Sequence, residues 1–139
     1  MALQITDKYM MFDECVNRLI REYKEHGKLI IAYDFDYTIH SYRGENDIYI
    51  NVMNLLRECR PYAKFIVYTC SNEERYEYIR DYLDAYNIPY DTINEPIIEL
   101  CDNEKAKLYY NHLLDDRSGL MSAYMILKKT IETIQESEK

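Results

Sequence analysis

The sequence predicts an α/β protein with a three-layer α/β/α, Rossmann-like fold, built on a short and mostly parallel sheet of about four strands. Three observations predict this class. Apolar runs alternate with amphipathic stretches of helical spacing, the apolar runs are nearly continuous, and acidic or hydroxyl residues follow several of them. A chain of 139 residues has the usual size of one domain, so residues 1–139 are expected to fold as a single unit.

The first half of the chain predicts a helix, a strand and a second helix. Apolar side chains recur at helical spacing over 7–26, and this stretch stops at Gly27, a residue suited to a helix C-terminus. The run "KLIIAYDF" (28–35) predicts a strand that is buried on both faces. A second helix is predicted over 50–60 and is ended by Pro61.

The second half of the chain continues this alternation. The run "AKFIVYTC" (63–70) predicts a second buried strand. The stretch 71–87 predicts a helix that opens with a capping box between Ser71 and Glu74. A third and shorter strand is predicted for "IPYDTI" (88–93), where a short apolar and β-branched run is bounded by polar residues.

The last part of the chain predicts a turn or short helix, a strand and a closing helix. These elements fall over 103–111, 112–116 and 118–139 respectively. Strands and helices that alternate in this way form parallel β-α-β units, with right-handed crossovers and helices on both faces of the sheet.

Polar side chains stand where three of the predicted strands end. Asp34 and Asp36 follow the first strand, Thr69 the second, and Asp115 and Asp116 the fourth. Ligands of open parallel sheets bind beyond the carboxyl ends of the strands. We therefore expect these side chains to meet at one edge of the sheet.

Clustered carboxylates indicate a bound cation, because their mutual repulsion must be offset. The chain has only three histidines, so a hard, oxygen-seeking ion such as Mg²⁺ suits the cluster better than zinc does. Asp34 beside such an ion could attack a phosphoryl group, and Asp36 could move protons. Thr69 and Lys107 could supply hydrogen-bond donors and positive charge to the phosphoryl oxygens.

The ordered set "DFDYT", "VYTCS", a lysine at 107 and "LLDDRSG" resembles the four motifs of the haloacid dehalogenase (HAD) superfamily of phosphatases, over about residues 28–120. This resemblance implies that Asp34 is the nucleophile and Asp36 the general acid/base. It also implies that Thr69 donates to phosphate and that Lys107 steadies the charge of the nucleophile and the phosphate. Lys105 competes for the lysine role, but Lys107 has the better distance from "LLDD".

The same resemblance implies the magnesium ligands. They would be the Asp34 side chain, the backbone carbonyl of Asp36 and the Asp115 side chain, with Asp116 in a direct or water-mediated supporting role. The cofactor implied is Mg²⁺. The string "KLYYNHLLDDRSGL" and the stretch "YDTINEP" also look like small uncharacterised bacterial and phage HAD hydrolases.

Two positions depart from the pattern of the family. The residue after Asp36 is usually glycine there, and here it is Tyr37, which predicts a backbone without positive φ and a ring near the phosphate site. Ser71 stands where similar small hydrolases often carry arginine, so one positive group is missing. Arg75 and Arg117 are the candidates to replace it.

The spacing of the motifs leaves no room for a cap domain, which many HAD phosphatases insert to enclose a small substrate. One helix and one strand use up most of the chain between Thr38 and Thr69, and another such unit lies between Thr69 and Lys107. We therefore expect an open active site. Either it accepts a bulky phosphorylated substrate, or it is closed by a flap over 39–49 or by a neighbouring subunit of a homo-oligomer.

Composition excludes several classes of function. A net charge of −8 argues against non-specific nucleic-acid binding, and no apolar run approaches the length of a membrane span. The N-terminal stretch lacks the features of a secretory signal, so a cytoplasmic location is expected. The four cysteines are widely separated, which favours free thiols: Cys15, Cys59, Cys70 and Cys101.

Together these features predict a Mg²⁺-dependent phosphomonoester hydrolase with a covalent aspartyl-phosphate on Asp34. Its partner would be a phosphorylated substrate, either a small molecule or an exposed phosphate on a macromolecule. His40 and His112 are interpreted as structural or solvent-facing. Two alternatives stay open: a catalytically inactive HAD-like binding module, which Tyr37 and Ser71 favour, and a receiver-type phosphoacceptor domain, whose order of acids and lysine differs from the order here.

Overall fold

The centre of the fold is a sheet of four strands: β1 (Leu29–Asp34), β2 (Ala63–Tyr68), β3 (Thr92–Ile93) and β4 (His112–Leu114). The helices are α1 (Phe12–His26), α2 (Ile50–Cys59), α3 (Tyr76–Ala85) and α4 (Leu120–Ser137). This computed structural model describes residues 7–44, 46–98, 100 and 108–139. The predicted α/β class is confirmed, since helices flank an all-parallel sheet in a manner consistent with a three-layer, Rossmann-like fold.

The strand order, β3-β2-β1-β4, puts β1 in the middle of the sheet. β1 pairs with β2 over its whole length, and it pairs with β4 from Ile31 to Tyr33. The chain runs outward from β1 through β2 to β3 and then returns to the other side of β1. The carboxyl ends of β1 and β4 therefore flank a topological switch point, which is the usual place for a ligand in open parallel sheets.

The nearly continuous apolar run of β1 is explained by burial on both faces. Successive side chains of a strand point to opposite sides, so Ile31 and Tyr33 face one core while Ile30 and Ala32 face another. The larger core takes in apolar residues from each of α1 to α4. The smaller core packs Ile30, Ala32 and Ile66 against residues that follow β3, among them Ile97, Leu100 and Leu108.

Two predicted strands are shorter than expected, and a side chain accounts for the first difference. The run 88–93 forms a strand only at Thr92–Ile93, because the Asp91 carboxylate accepts a hydrogen bond from the Phe65 N–H at 2.8 Å. The run 112–116 forms a strand only at His112–Leu114, and the Asn111 side chain accepts from the Ile30 N–H at 2.7 Å. In each case a side-chain oxygen takes the place of a ladder acceptor at the strand's start.

The first helix ends as predicted but begins later. Gly27 has φ 78°, and its N–H donates to the Tyr23 carbonyl at 2.7 Å, so the expected glycine cap is present. At the other end, Met11 is extended, and it separates a short 3₁₀ turn at Lys8–Met10 from α1. The predicted helix over 7–26 is thus a turn followed by a 15-residue helix.

The capping box predicted at Ser71 and Glu74 is wrong. A 3₁₀ turn at Glu73–Arg75 precedes α3, and the Ser71 hydroxyl oxygen accepts from an Arg75 guanidinium N–H at 2.8 Å instead. Arg75 also pairs with Asp36, which lies outside the helix. Its guanidinium therefore engages the Ser71 hydroxyl that was expected to cap the helix.

The predicted flap over 39–49 contains a 3₁₀ turn at Asn46–Tyr49, directly before α2, and the described part of the segment forms no strand. Glu45 of the flap lies outside the described residues, as do Lys105, Lys107 and Cys101 and residues 103–107 of the predicted turn. The three described cysteines are free thiols, as expected. In the part of the chain that the structure covers, no helix has both the length and the apolar character needed to cross a bilayer.

Candidate active site

Three carboxylates meet at the switch point. Asp34 is the last residue of β1, and Asp115 and Asp116 directly follow β4. Because Tyr33 and Leu114 are paired in register, the residues after them leave the sheet side by side. One oxygen from each of Asp34, Asp115 and Asp116 can be chosen so that all three lie within 4.8 Å of one another. The structure thus brings together these three residues of the predicted site.

A buried threonine, which the sequence analysis did not single out, ties this acidic cluster together. The Thr38 hydroxyl lies 3.4 Å from Asp34 Oδ2 and 3.4 Å from Asp116 Oδ1, and it accepts a hydrogen bond from the Asp116 N–H at 3.1 Å. Thr38 is fully buried. Its position in "DFDYT", at the turn after β1, was the sequence signal that could have identified it. A hydroxyl buried there needs polar partners, and the neighbouring carboxylates provide them.

The crowding at this edge perturbs the ionisation of Asp34. Burial, a hydrogen bond with Asp116 and the charges of Asp115 and Asp116 raise the pKa of Asp34 to about 7, and a hydrogen bond from the Phe35 backbone acts in the opposite direction. Each of the raising causes disfavours the charged form of Asp34. A cation among the three carboxylates would remove this penalty.

The donor set fits Mg²⁺. The three side chains offer carboxylate oxygens alone, which are the ligands that Mg²⁺ prefers, and they lack the nitrogen or sulfur donors that favour zinc. Asp36, which the resemblance implies as a ligand through its backbone carbonyl, turns its side chain towards Arg75. The side chains that could hold such an ion are those of Asp34, Asp115 and Asp116, and the role of the Asp36 carbonyl stays a prediction.

Asp36 is held by a network of four hydrogen bonds. The Arg75 guanidinium donates to both carboxylate oxygens of Asp36, at 2.6 Å and 2.9 Å. His40 Nδ1 lies 3.0 Å from one oxygen, and the Tyr42 hydroxyl donates to the other at 3.1 Å. Only about a fifth of the Asp36 and Arg75 side chains is exposed, at 21% and 22%. Two-point pairing of this kind fixes orientation as well as charge.

This network keeps Asp36 ionised. Burial acts to raise the pKa of Asp36, but the hydrogen bond and charge of Arg75, with hydrogen bonds from His40 and Tyr42, together hold that pKa below its ordinary value. A carboxylate with both oxygens engaged as acceptors is a weaker base than a free one, so one of these hydrogen bonds must open before Asp36 can receive a proton. Its expected role as the general acid requires the Arg75 pair to open first and stays a prediction.

His40 is structural, which is one of the two interpretations made from the sequence. It is 3% exposed, its ring stacks on Phe35 with centroids 4.7 Å apart, and its second ring nitrogen lies 2.7 Å from the Tyr78 hydroxyl. Burial, with a contribution from the Arg75 charge, lowers the pKa of His40, although Asp36 acts to raise it. A neutral ring that donates to Asp36 and accepts from Tyr78 satisfies both contacts.

The prediction that Tyr37 excludes a positive φ is wrong. Tyr37 has φ 64°, in the left-handed region that favours glycine. The turn requires this conformation, because the Tyr37 N–H donates to the His40 carbonyl at 2.7 Å and the Ile39 N–H donates to the Phe35 carbonyl at 3.1 Å. The backbone shape usual for glycine is thus kept with a tyrosine, and the Tyr37 ring is 52% exposed.

Thr69 reaches the same edge and is fixed there by an asparagine. Asp34 pairs with Tyr68, so Thr69 is the next residue beyond β2, beside the cluster. The Thr69 N–H donates to Asn94 Oδ1 at 2.9 Å, and Asn94 Nδ2 donates back to the Thr69 carbonyl at 2.7 Å. The Thr69 hydroxyl oxygen accepts from the Ser71 N–H at 3.1 Å, which leaves the hydroxyl proton for another acceptor.

Of the two candidates to replace the missing arginine, Arg75 lies in the site. Its guanidinium joins Asp36 to Ser71, the position where arginine was expected. Arg117 is exposed, and its backbone N–H donates to the Asp115 carboxylate at 2.8 Å. The lysine expected at 107, with its competitor at 105, lies outside the described residues.

Comparison with known proteins gives no match of any kind: no family model, no curated protein and no solved structure matches this chain. The resemblance to the HAD superfamily stays a prediction from four motifs. Three of these motifs fall on described residues, and they contribute Asp34, Asp36, Thr69, Asp115 and Asp116 to one edge of the sheet.

Proposed function

We propose that this protein is a Mg²⁺-dependent phosphomonoester hydrolase in which Asp34 is the nucleophile. One observation carries the proposal: Asp34 ends the central strand at the switch point, with oxygens of Asp115 and Asp116 within 4.8 Å. A carboxylate in this position can hold an oxygen-seeking cation and still present its second oxygen to a phosphoryl group.

Asp34, Asp115 and Asp116 would hold the ion. When bound, Mg²⁺ would supply positive charge that offsets the repulsion of the carboxylates and draws the phosphoryl oxygens to the site. Thr38 keeps Asp34 and Asp116 in place through its buried hydroxyl. The Thr69 hydroxyl donates to a phosphoryl oxygen, and Lys107 balances the remaining negative charge, as the sequence predicts.

The reaction proceeds in two displacements. An Asp34 oxygen forms a bond to phosphorus while the bond from phosphorus to the ester oxygen breaks, and the electron pair leaves with that oxygen. Water then attacks phosphorus, the bond to Asp34 breaks, and inorganic phosphate is released. The departing oxygen takes a proton from solvent. Asp36 takes the proton of the attacking water once a hydrogen bond from Arg75 has opened, and then returns that proton to solvent.

The receiver-type alternative does not fit the sheet. In the flavodoxin-like order of receivers, the first strand lies between the second and the third. Here β1 lies between β2 and β4. The inactive binding module keeps one supporting observation, which is that both oxygens of Asp36 are already engaged by Arg75. A cytoplasmic location stays a prediction.

The decisive experiment replaces Asp34 by Asn and measures hydrolysis of a generic aryl phosphate with Mg²⁺. Loss of the nucleophile should lower kcat by at least about a thousandfold. Asp81→Asn, which changes an exposed aspartate on α3, is the matched control and should retain full activity. Chelation of divalent ions should abolish turnover, and added Mg²⁺ should restore it.

Unchanged activity in Asp34→Asn would remove Asp34 as the nucleophile, and activity that survives chelation would remove the metal. If the wild-type protein turns over no phosphate ester while still binding inorganic phosphate in the presence of Mg²⁺, the inactive module is the better description.

A further inference from the structure

A recess adjoins Asp36, the residue two positions after Asp34 in the chain. It has a volume of about 330 Å³, within the range of small-molecule sites, and six residues line it: His40, Ser41, Tyr42, Gly44, Arg75 and Tyr78. Three of these residues, His40, Tyr42 and Arg75, hydrogen-bond to the Asp36 carboxylate. The recess therefore lies beside the Asp36 carboxylate.

Four of the six residues that line this pocket carry flat π groups: His40, Tyr42, Arg75 and Tyr78. The Arg75 guanidinium carbon lies 4.9 Å from the centre of the Tyr42 ring and 5.6 Å from that of Tyr78. Both rings keep much of their surface open to solvent, at 64% for Tyr42 and 50% for Tyr78. Rings and guanidinium groups stack with planar aromatic groups.

The pocket carries little net charge, because the Arg75 charge is paired with Asp36 at hydrogen-bond distance. An anionic group would gain little by entering it, whereas an aromatic ring would gain contact on several sides. For a substrate whose phosphate lies at the acidic cluster, as the proposed function has it, the pocket beside Asp36 is where we expect the ring.

The hydrogen bonds around Asp36 point to the same kind of substrate. Each of its two carboxylate oxygens already accepts two hydrogen bonds, from Arg75 and His40 at one oxygen and from Arg75 and Tyr42 at the other. In this arrangement the leaving oxygen departs without a proton from Asp36. A phenolate departs far more readily than an alkoxide, since a phenol such as tyrosine ionises at a pKa of about 10.

We propose that the pocket of Tyr42, Arg75 and Tyr78 binds the ring of an aryl phosphate monoester, so that aryl phosphates are the substrate class of the site. This inference rests on the proposed function. In the first displacement, the oxygen of Asp34 bonds to phosphorus, the bond from phosphorus to the phenolic oxygen breaks, and the phenolate takes a proton from solvent. The overall products are a phenol and inorganic phosphate, at the cost of one water.

The test compares phenyl phosphate with cyclohexyl phosphate, whose saturated ring has similar size but no π face. The quantity measured is the ratio of their kcat/KM values, in the wild-type protein and in Tyr78→Leu, Tyr78→Phe, Tyr42→Leu and Tyr42→Phe. Each Leu variant should lower the ratio about fivefold, because it removes one stacking surface. Tyr78→Phe keeps the ring and should keep the ratio. Tyr42→Phe also removes a hydrogen bond to Asp36, so Tyr78→Phe is the matched control.

Control measurements separate stacking from general damage. Tyr9→Leu, at a position 43% exposed in the turn before α1, should leave the ratio unchanged. A fall in folding stability lowers the rates for both substrates together and leaves their ratio alone. A ratio that does not change in either Leu variant, or that falls as much in Tyr78→Phe as in Tyr78→Leu, overturns the inference.

Two further measurements extend the test. Other substrates show which kind of molecule carries the ring, and a binding assay tests the pocket independently of the proposed hydrolysis. A phosphotyrosine peptide tests whether the ring can be carried by a polypeptide, and a higher kcat/KM for nucleoside monophosphates than for both aryl phosphates would overturn the substrate class. Phenylphosphonate, which is not hydrolysed, is titrated by calorimetry with Mg²⁺ against cyclohexylphosphonate.

If no ester is turned over, the proposed function fails and the phosphonates decide the pocket. Tighter binding of phenylphosphonate that is lost in Tyr78→Leu supports the aromatic site. Equal binding of the two phosphonates rejects it.

Discussion

Replacing Asp34 by Asn should change how the stability of the protein depends on pH. The pKa of Asp34 is raised from its ordinary value of 3.8 to about 7 in the folded protein, by burial and by the carboxylates of Asp115 and Asp116. The folded state therefore binds this proton more tightly than the unfolded state does. The contribution of the protonated Asp34 carboxyl to the free energy of unfolding is complete below pH 3.8, and it is lost as the pH rises through about 7.

The size of the effect follows from the shift. A rise of about 3 pKa units corresponds to about 4 kcal/mol if the site were fully shielded from water. Asp34 is only half-buried, so solvent screening reduces this to about 2 kcal/mol. In the absence of divalent ions, Asp34→Asn should thus gain about 2 kcal/mol of stability over the wild-type protein between pH 4 and pH 8.

Urea unfolding followed by circular dichroism from pH 4 to pH 8, with a chelator present, measures this difference. Asp81→Asn serves as the control, because Asp81 is exposed on α3, and its profile should run parallel to that of the wild-type protein. Adding Mg²⁺ at pH 8 should stabilise the wild-type protein more than Asp34→Asn. Parallel profiles for Asp34→Asn and the wild-type protein would show that Asp34 is not crowded by its neighbours, and the argument for a cation site would lose its physical basis.

Substitutions at two other positions test the turns that shape the site. Tyr37→Gly should be about 1 kcal/mol more stable than Tyr37→Ala in urea unfolding, because glycine accepts φ 64° without the steric cost that any Cβ brings, and equal stabilities would contradict that conformation. Asn94→Gly should lose about 1–3 kcal/mol, since the Thr69 N–H and carbonyl lose their partners, and Asn94→Ala should lose about 1 kcal/mol more because φ is 57° at this position. Thermal unfolding of the two Asn94 variants side by side measures the difference, and identical midpoints would mean that the positive φ costs nothing there.

The sequence by itself was enough to predict the fold class and the meeting of three acids. The run 28–35 predicts a buried strand whatever surrounds it, because continuous apolar residues must be covered on both faces. Asp34, Asp115 and Asp116 could then be placed together, since parallel strands end at the same edge of a sheet. These predictions need only local pattern and one rule of topology.

The partners of Asp36 were decided by the tertiary structure. Arg75 is 39 residues away in the chain, and no local pattern indicates that it pairs with Asp36 rather than with solvent. The positive φ of Tyr37 likewise follows from hydrogen bonds that close the turn, against the intrinsic preference of the residue. A side chain's propensity acts over a few neighbours, whereas ion pairs and turn closures depend on which distant segments the folded sheet brings into contact.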